Sequence, residues 1–161
     1  MRTRPARKTP DLPQVVYRTL HPKEKEVVLS AVDIQSSAYA PYSNYKVGVA
    51  ILGTNGKIYT GVNVENVFYK AMHAEEVALS EMAKDKCRRF MTLCCAALNG
   101  GIPCLSCRQF MREFSGEDLE DVIIIGVKNG IQDRVIRCTF ADIIGVDSFG
   151  PQDLGINPMK Y

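Results

Sequence analysis

Apolar residues recur at helical spacing over residues 22–40, where Val27, Ala31, Ile34 and Ala38 share a face. Pro22 suits the first turn of that helix, since the N–H it lacks has no partner there. The segment Ala40-Pro41-Tyr42-Ser43-Asn44-Tyr45 follows as a loop with two aromatics. Residues 47–52 and 58–62 read as strands. Asn55-Gly56 between them is a hairpin signal, because both residues tolerate positive φ. A loop carrying Asn63, Glu65 and Asn66 leads to a second helix over 73–86, with Val77, Ala78 and Met82 on one face. A short apolar strand over 93–98 precedes Pro103 and a third helix over 104–114. Strands over 122–127 and 134–138 and a short helix over 139–144 complete the pattern, before a tail marked by proline and glycine. Helices alternating with strands after an opening hairpin imply an α/β fold: a three-layer α/β/α sandwich around a five-stranded mixed sheet.

At 161 residues, 46% hydrophobic and 24% charged, the chain has the length and composition of one soluble domain with a real core. No run approaches the roughly 18 apolar residues of a membrane helix, so no membrane partner is expected. The first ten residues hold four basic side chains and no acidic one. Residues 1–18 are read as a basic, disordered tail and 19–161 as a single domain. No apolar run follows the basic segment, so it is not read as a secretory signal, and a cytoplasmic setting is expected. The chain has 20 Lys+Arg against 18 Asp+Glu; setting aside the four in the tail leaves 16 against 18, a core near −2. That balance is poor at holding a phosphate backbone, which argues against a nucleic-acid polymer as partner.

Six cysteines, Cys87, Cys94, Cys95, Cys104, Cys107 and Cys138, do not read as three disulfides, because the core is adequate without them. Cys94, Cys95 and Cys138 fall in apolar strands and are read as small buried hydrophobes. Cys104 and Cys107 belong to a different pattern. His73-Ala74-Glu75 is followed about thirty residues later by Pro103-Cys104-Leu105-Ser106-Cys107. His73, Cys104 and Cys107 supply one imidazole and two thiolates, a set that suits Zn²⁺ and leaves the fourth tetrahedral position to water. Both segments occupy strand-to-helix junctions, which converge at the strand ends in an open α/β sheet. Helix N-termini also favour the thiolate form. Glu75 is the candidate proton carrier for that water. An HxE paired with PCxxC is the pattern of zinc-dependent nucleobase deaminases, in which the Glu is an acid/base and not a ligand. There the activated water attacks C4 of cytosine, while the carboxylate takes its proton, delivers one to N3 and then protonates departing ammonia. A purely structural zinc site would want a fourth protein ligand, and the only other histidine is His21.

Beyond these residues the chain resembles the small-subunit cytidine deaminases over about residues 25–155. The resemblance is carried by residues 38–48 (AYAPYSNYKVG), 61–66 (GVNVEN), 107–114 (CRQFMREF) and 149–154 (FGPQDL). It implies the cytidine deaminase-like sandwich, one zinc per subunit, a homotetramer with active sites near subunit interfaces, and a small-molecule nucleoside as substrate. It also implies that Asn63 and Glu65 bind the ribose 3′-hydroxyl, that the Ala74 backbone reads the pyrimidine edge, and that Tyr45 lies against the base where the family usually has Phe. Phe149 would cover the base of a neighbouring subunit, and Tyr42, Val67 and Tyr69 would lie near the interface and the sugar 5′ end. The implied activity is hydrolytic deamination of cytidine and 2′-deoxycytidine in pyrimidine salvage. A deaminase of a blasticidin S-type antibiotic is the rival within the same chemistry, disfavoured by the complete Asn-x-Glu-Asn motif. An inactive zinc-binding assembly subunit is the rival from another class.

Two departures stand out. Tetrameric members commonly have Cys as first ligand and Arg after the catalytic Glu, where this chain has His73 and Glu76. Three thiolates with Zn²⁺ leave a net −1 that an Arg can offset, whereas two thiolates and neutral His leave zero, so the double exchange is self-consistent. The stretch from Asn63 to His73 is also about one residue shorter than usual.

Overall fold

A computed structural model of the chain describes residues 12–98, 100–128, 130–131, 133–145, 150–154 and 156–160. The central strands β2 (Val47–Gly53) and β6 (Phe90–Ala97) send successive side chains to opposite faces, as a period of two requires. Val49, Ile51, Leu93 and Cys95 enter one core, beneath α2 (Ala74–Lys84), α3 (Leu105–Arg112) and α4 (Ala141–Ile144). Ala50, Leu52, Cys94 and Ala96 enter the other, against Val27, Val28 and Ala31 of α1 (Pro22–Ile34). The three-layer sandwich therefore follows from uninterrupted apolar strands buried on both faces.

The sheet has six strands, one more than expected. Its order is β1 (Gln14–Val16), β8 (Arg134–Thr139), β7 (Ile123–Lys128), β6, β2 and β3 (Ile58–Val62). The extra strand comes from the segment read as tail: Gln14, Val15 and Val16 pair antiparallel with Ile136, Val135 and Arg134. Leu12 and Val15 pack against the two cores, and the Arg137 guanidinium on β8 grips Glu24 of α1, with Nη2–Oε1 at 2.7 Å. Residues 1–11 lie outside the described residues.

The first helix stops earlier than its periodicity predicts. It passes at Ile34 into a 3-10 turn over Gln35–Ser37. Ser36 Oγ turns back onto the Asp33 carbonyl, and Lys46 Nζ donates to the freed Ser36 carbonyl at 2.8 Å. The segment read as a plain loop before α2 contains a short antiparallel ribbon, in which β4 (Val64–Glu65) pairs with β5 (Ala71–Met72). Among the described residues no helix is long and apolar enough to cross a membrane.

Strand direction brings the two cysteine- and histidine-bearing junctions together. Strands β3 and β6 are both antiparallel to β2, so they run in the same direction on either side of it. Gly48 pairs with Val62 on one side and Ala96 on the other, which puts the ends of β3 and β6 level with the start of β2. The chain leaves β3 through the ribbon into His73 and α2, and leaves β6 into Cys104 and α3. Gly61 lets α2 approach: a Cβ there would lie 2.3 Å from the Ala74 carbonyl oxygen and 2.5 Å from the Ala78 nitrogen. Both obstacles are backbone, so the helix itself would have to move. Gly61→Ala is expected to destabilise the fold by about 1–3 kcal/mol, read in urea unfolding; unchanged stability would contradict this contact.

Candidate metal centre and adjoining cleft

His73 precedes the first residue of α2 with extended backbone (φ −78, ψ 151), and Cys104 holds the equivalent place before α3. Each is a helix N-cap, so both ligand segments enter their helices where free N–H groups and the positive dipole end favour anions. The Cys104 sulfur accepts from the Cys107 N–H at 3.4 Å, standing in for the usual capping oxygen. His73 Nδ1 lies 3.1 Å from Cys107 Sγ and 3.5 Å from Cys104 Sγ, and the two sulfurs are 3.2 Å apart. The three residues form one group with all ligand atoms within 4.8 Å of one another, and no fourth His, Cys, Asp or Glu joins it among the described residues. His21 is elsewhere, capping α1 with Nδ1 accepting from the Lys23 N–H.

The donor set fits zinc. Cys107 is fully buried, and burial followed by the Glu75 carboxylate pushes its thiol well above the ordinary range. Glu75 is 5% exposed, and burial pushes its carboxyl up as well. A cation beside them would favour the ionised Cys107 thiolate and Glu75 carboxylate that this burial disfavours. One imidazole with two thiolates is a borderline-soft set that matches Zn²⁺, and three protein ligands leave an open position.

Beside the centre is a cleft of about 350 Å³, within the range of small-molecule sites. His73, Ala74, Glu75 and Cys104 line it together with Tyr45, Asn63 and Glu65. Asn63 is buried and ties down the chain before β2: its Oδ1 accepts from the Val47 N–H at 2.8 Å and its Nδ2 donates to the Tyr45 carbonyl at 2.9 Å. Glu65 accepts from the backbone N–H groups of Tyr42 (2.9 Å) and Ser43 (3.2 Å) and from the Ser43 hydroxyl. Those bonds, the Ser43 hydroxyl foremost, hold its carboxyl below the usual carboxylate range.

Tyr42 and Tyr69 do not line this cleft. Their rings meet at 5.7 Å over a smaller pocket of about 190 Å³, which shares Ser43, Glu65 and Ala71 with it. Phe149 lies outside the described residues. Ser43, Cys95, Gly101 and Ile102 line the cleft without having been singled out in the sequence. The loop that carries Gly101 and Ile102 directly precedes PCxxC, and that adjacency is the signal that could have flagged them. Cys87, Cys94, Cys95 and Cys138 are buried and unpaired, as expected for those assigned to the core.

Residues 21–124 match the family model described as the cytidine and deoxycytidylate deaminase zinc-binding region. The chain belongs to this deaminase family. Among deaminase relatives it is similar to the cytidine deaminase of Sporosarcina psychrophila, with 31% identity over 115 residues, spanning 70% of this chain and 84% of that protein. The cytidine deaminase of Mycobacterium tuberculosis is 36% identical over 93 residues, 56% of this chain and 70% of the relative. Among solved deaminase structures, that of the Burkholderia pseudomallei cytidine deaminase superposes with a TM-score of 0.68 at 28% identity, covering 78% of this chain and 98% of the other. The Mycobacterium leprae cytidine deaminase gives 0.62 at 31% identity, covering 76% and 97%.

His73→Cys tests the charge balance of the centre. It would put a third thiolate beside buried Glu75 and adjacent Glu76, with no Arg to offset it. Zinc content and turnover are both expected to fall; a variant that keeps full metal and full rate would refute the account.

Proposed function

We propose that this chain is a zinc-dependent hydrolase that deaminates cytidine and 2′-deoxycytidine to uridine and 2′-deoxyuridine, in pyrimidine salvage. The observation that carries this reading is the placement of buried Glu75 beside the three-ligand group, on a cleft that also presents Asn63 and Glu65.

Zinc, when bound, supplies an acidified water at neutral pH. The chain's own residues supply the rest. Glu75 takes a proton from the attacking water at its carboxylate and delivers it to ring N3; it then takes the second proton, from the hydroxyl now on C4, and passes it to the departing amino group, which leaves as ammonia. Its burial suits this exchange, because a carboxyl that is costly to ionise returns its proton more readily. The Ala74 backbone reads the pyrimidine edge, and Tyr45 lies against the base. Asn63 and Glu65 take the ribose 3′-hydroxyl. In each, hydrogen-bonding capacity remains beyond the bonds described above: among the described residues one Asn63 side-chain N–H has no assigned acceptor and Glu65 Oε1 is met by the Ser43 hydroxyl.

Two arginines bear on nucleoside against nucleotide. Arg108 donates to the Pro103 and Ile143 carbonyls, and Arg112 donates to Ser115 and the Gly116 carbonyl. Neither lines the cleft, which favours a substrate without a phosphate. A homotetramer is supported by the largely exposed apolar tip of the ribbon at Val67, Phe68 and Tyr69, which needs cover. Assembly there would place Tyr42 and Tyr69 near the sugar 5′ end; the covering of a neighbouring subunit's base by Phe149 rests on the family resemblance alone. Unpaired buried thiols suit the reducing cytoplasm.

The deciding experiment is an ultraviolet assay of zinc-quantified protein with cytidine, deoxycytidine, deoxycytidylate, cytosine, adenosine and blasticidin S. Turnover of the two pyrimidine nucleosides is expected; zinc-loaded protein that turns over neither would sink the reading, and turnover of blasticidin S alone would favour the antibiotic enzyme. Glu75→Gln is expected to keep zinc and lose at least two orders of magnitude in rate. An inactive assembly subunit would be indifferent to it.

A further inference from the structure

We propose that Glu76 is the positioning residue for the histidine ligand: its carboxylate fixes the His73 backbone, and the backbone fixes the imidazole nitrogen that meets the metal. The inference rests on reading the three-residue group as the zinc site. Glu76 Oε2 accepts from the His73 N–H at 2.9 Å. His73 is an N-cap in extended conformation, so its N–H has no helical partner, and an acidic side chain three residues on is the acceptor that a capping arrangement supplies.

What makes this more than a helix cap is which ring nitrogen is used. Nδ1, not Nε2, lies against the two sulfurs. Nδ1 is bonded directly to Cγ and is the ring nitrogen nearer the main chain, so only the Cα–Cβ and Cβ–Cγ torsions stand between a shift of the His73 backbone and the ligand atom. The same turn is clamped from beneath, where Gly61 lets β3 sit directly under the Ala74 carbonyl. Glu76 provides the hold on the other side.

Glu76 is not otherwise engaged in the site: it is neither in the ligand group nor among the residues lining the cleft. Its negative charge at the third helical position is favourable to the dipole. With two thiolates and a neutral imidazole around Zn²⁺, the cage is uncharged and has no need of a cation at this place in sequence. The position is thus free to carry an acceptor.

The test compares parent, Glu76→Gln, Glu76→Asp and Glu76→Ala in two metal readouts. One is the rate of zinc release to an excess of a colorimetric chelator; the other is the visible absorption of the cobalt(II)-substituted protein. Gln keeps an acceptor of the same reach and is expected to stay within about threefold of the parent with the parent's cobalt band. Asp keeps the charge but falls short of the N–H. Asp and Ala are expected to release zinc roughly tenfold faster, the usual scale for losing support behind a ligand, with an altered cobalt band. Parent-like release and spectrum in Asp and Ala, even with a lowered melting temperature, would overturn the proposal by leaving Glu76 a helix cap only. So would a Gln variant as impaired as Ala, since charge and not the bond would then be responsible. A parent that takes up no zinc would overturn it together with the metal reading. A zinc-loaded parent without nucleoside turnover would overturn the functional reading alone.

Discussion

Everything at the site depends on β2 lying antiparallel between two strands that run the same way. A metal held by residues thirty-one apart needs two chain segments to arrive at one point from the same end of a sheet. The pairing of β2 with both β3 and β6 achieves this, because it puts the ends of those strands on either side of Val47. Small residues make the arrangement close enough to use. Gly48 admits the end of α1, whose Ala31 carbonyl would stand 2.3 Å from any Cβ there, and Gly61 admits the first turn of α2 from the opposite face. The start of α2 thus sits directly on β3, level with the end of β6 from which the chain passes to Cys104 and α3.

That geometry buries groups whose ionised forms water would otherwise solvate. Cys107 and Glu75 are buried, which raises the cost of ionising both, and the Glu75 carboxylate adds to that cost at Cys107. The two helix N-termini offset part of this, since both ligand segments enter where the backbone presents unpaired N–H groups. A partial charge at a helix end cannot balance two thiolates and a carboxylate, so a divalent cation completes the electrostatics. Metal occupancy and local folding of these two junctions are therefore coupled.

The convergence of the site was legible in the sequence because its residues are contiguous in short motifs and each motif opens a helix. His73, Glu75, Cys104 and Cys107 converge as their spacing implied. The core strands were legible for a related reason: runs buried on both faces are apolar throughout and leave little doubt of type. What escaped was short or depended on distant partners. Gln14–Val16 has three residues and no alternation of its own, and only β8 makes it a strand. The β4–β5 ribbon has two residues on each side. The early end of α1 turns on Ser36 and Lys46, whose effect on the backbone appears only once Lys46 is brought back to it. Glu76 was read as a charge and not as a cap, because the capping pattern is ordinarily recognised from Ser or Thr at its first position. Here that position is a histidine.

Asn63 and Glu65 show how a binding wall can be built before anything binds. Asn63 stitches the Tyr45 carbonyl to the Val47 N–H, and Glu65 gathers the turn at Tyr42 and Ser43. The loop that carries Tyr45 is thus held by the residues assigned to the sugar in the proposed reaction. A ribose hydroxyl arriving there would join a network already formed, so little side-chain freedom remains to be lost on binding. The Ser43 hydroxyl and the two backbone donors also keep Glu65 ionised, as its lowered pKa requires, so it meets a hydroxyl as an acceptor only. Glu75, which lines the same cleft, is pushed the opposite way by burial. Two carboxylates on one small cleft are in this way driven apart in acidity, as the proposed division between a recognition anion and a proton carrier requires.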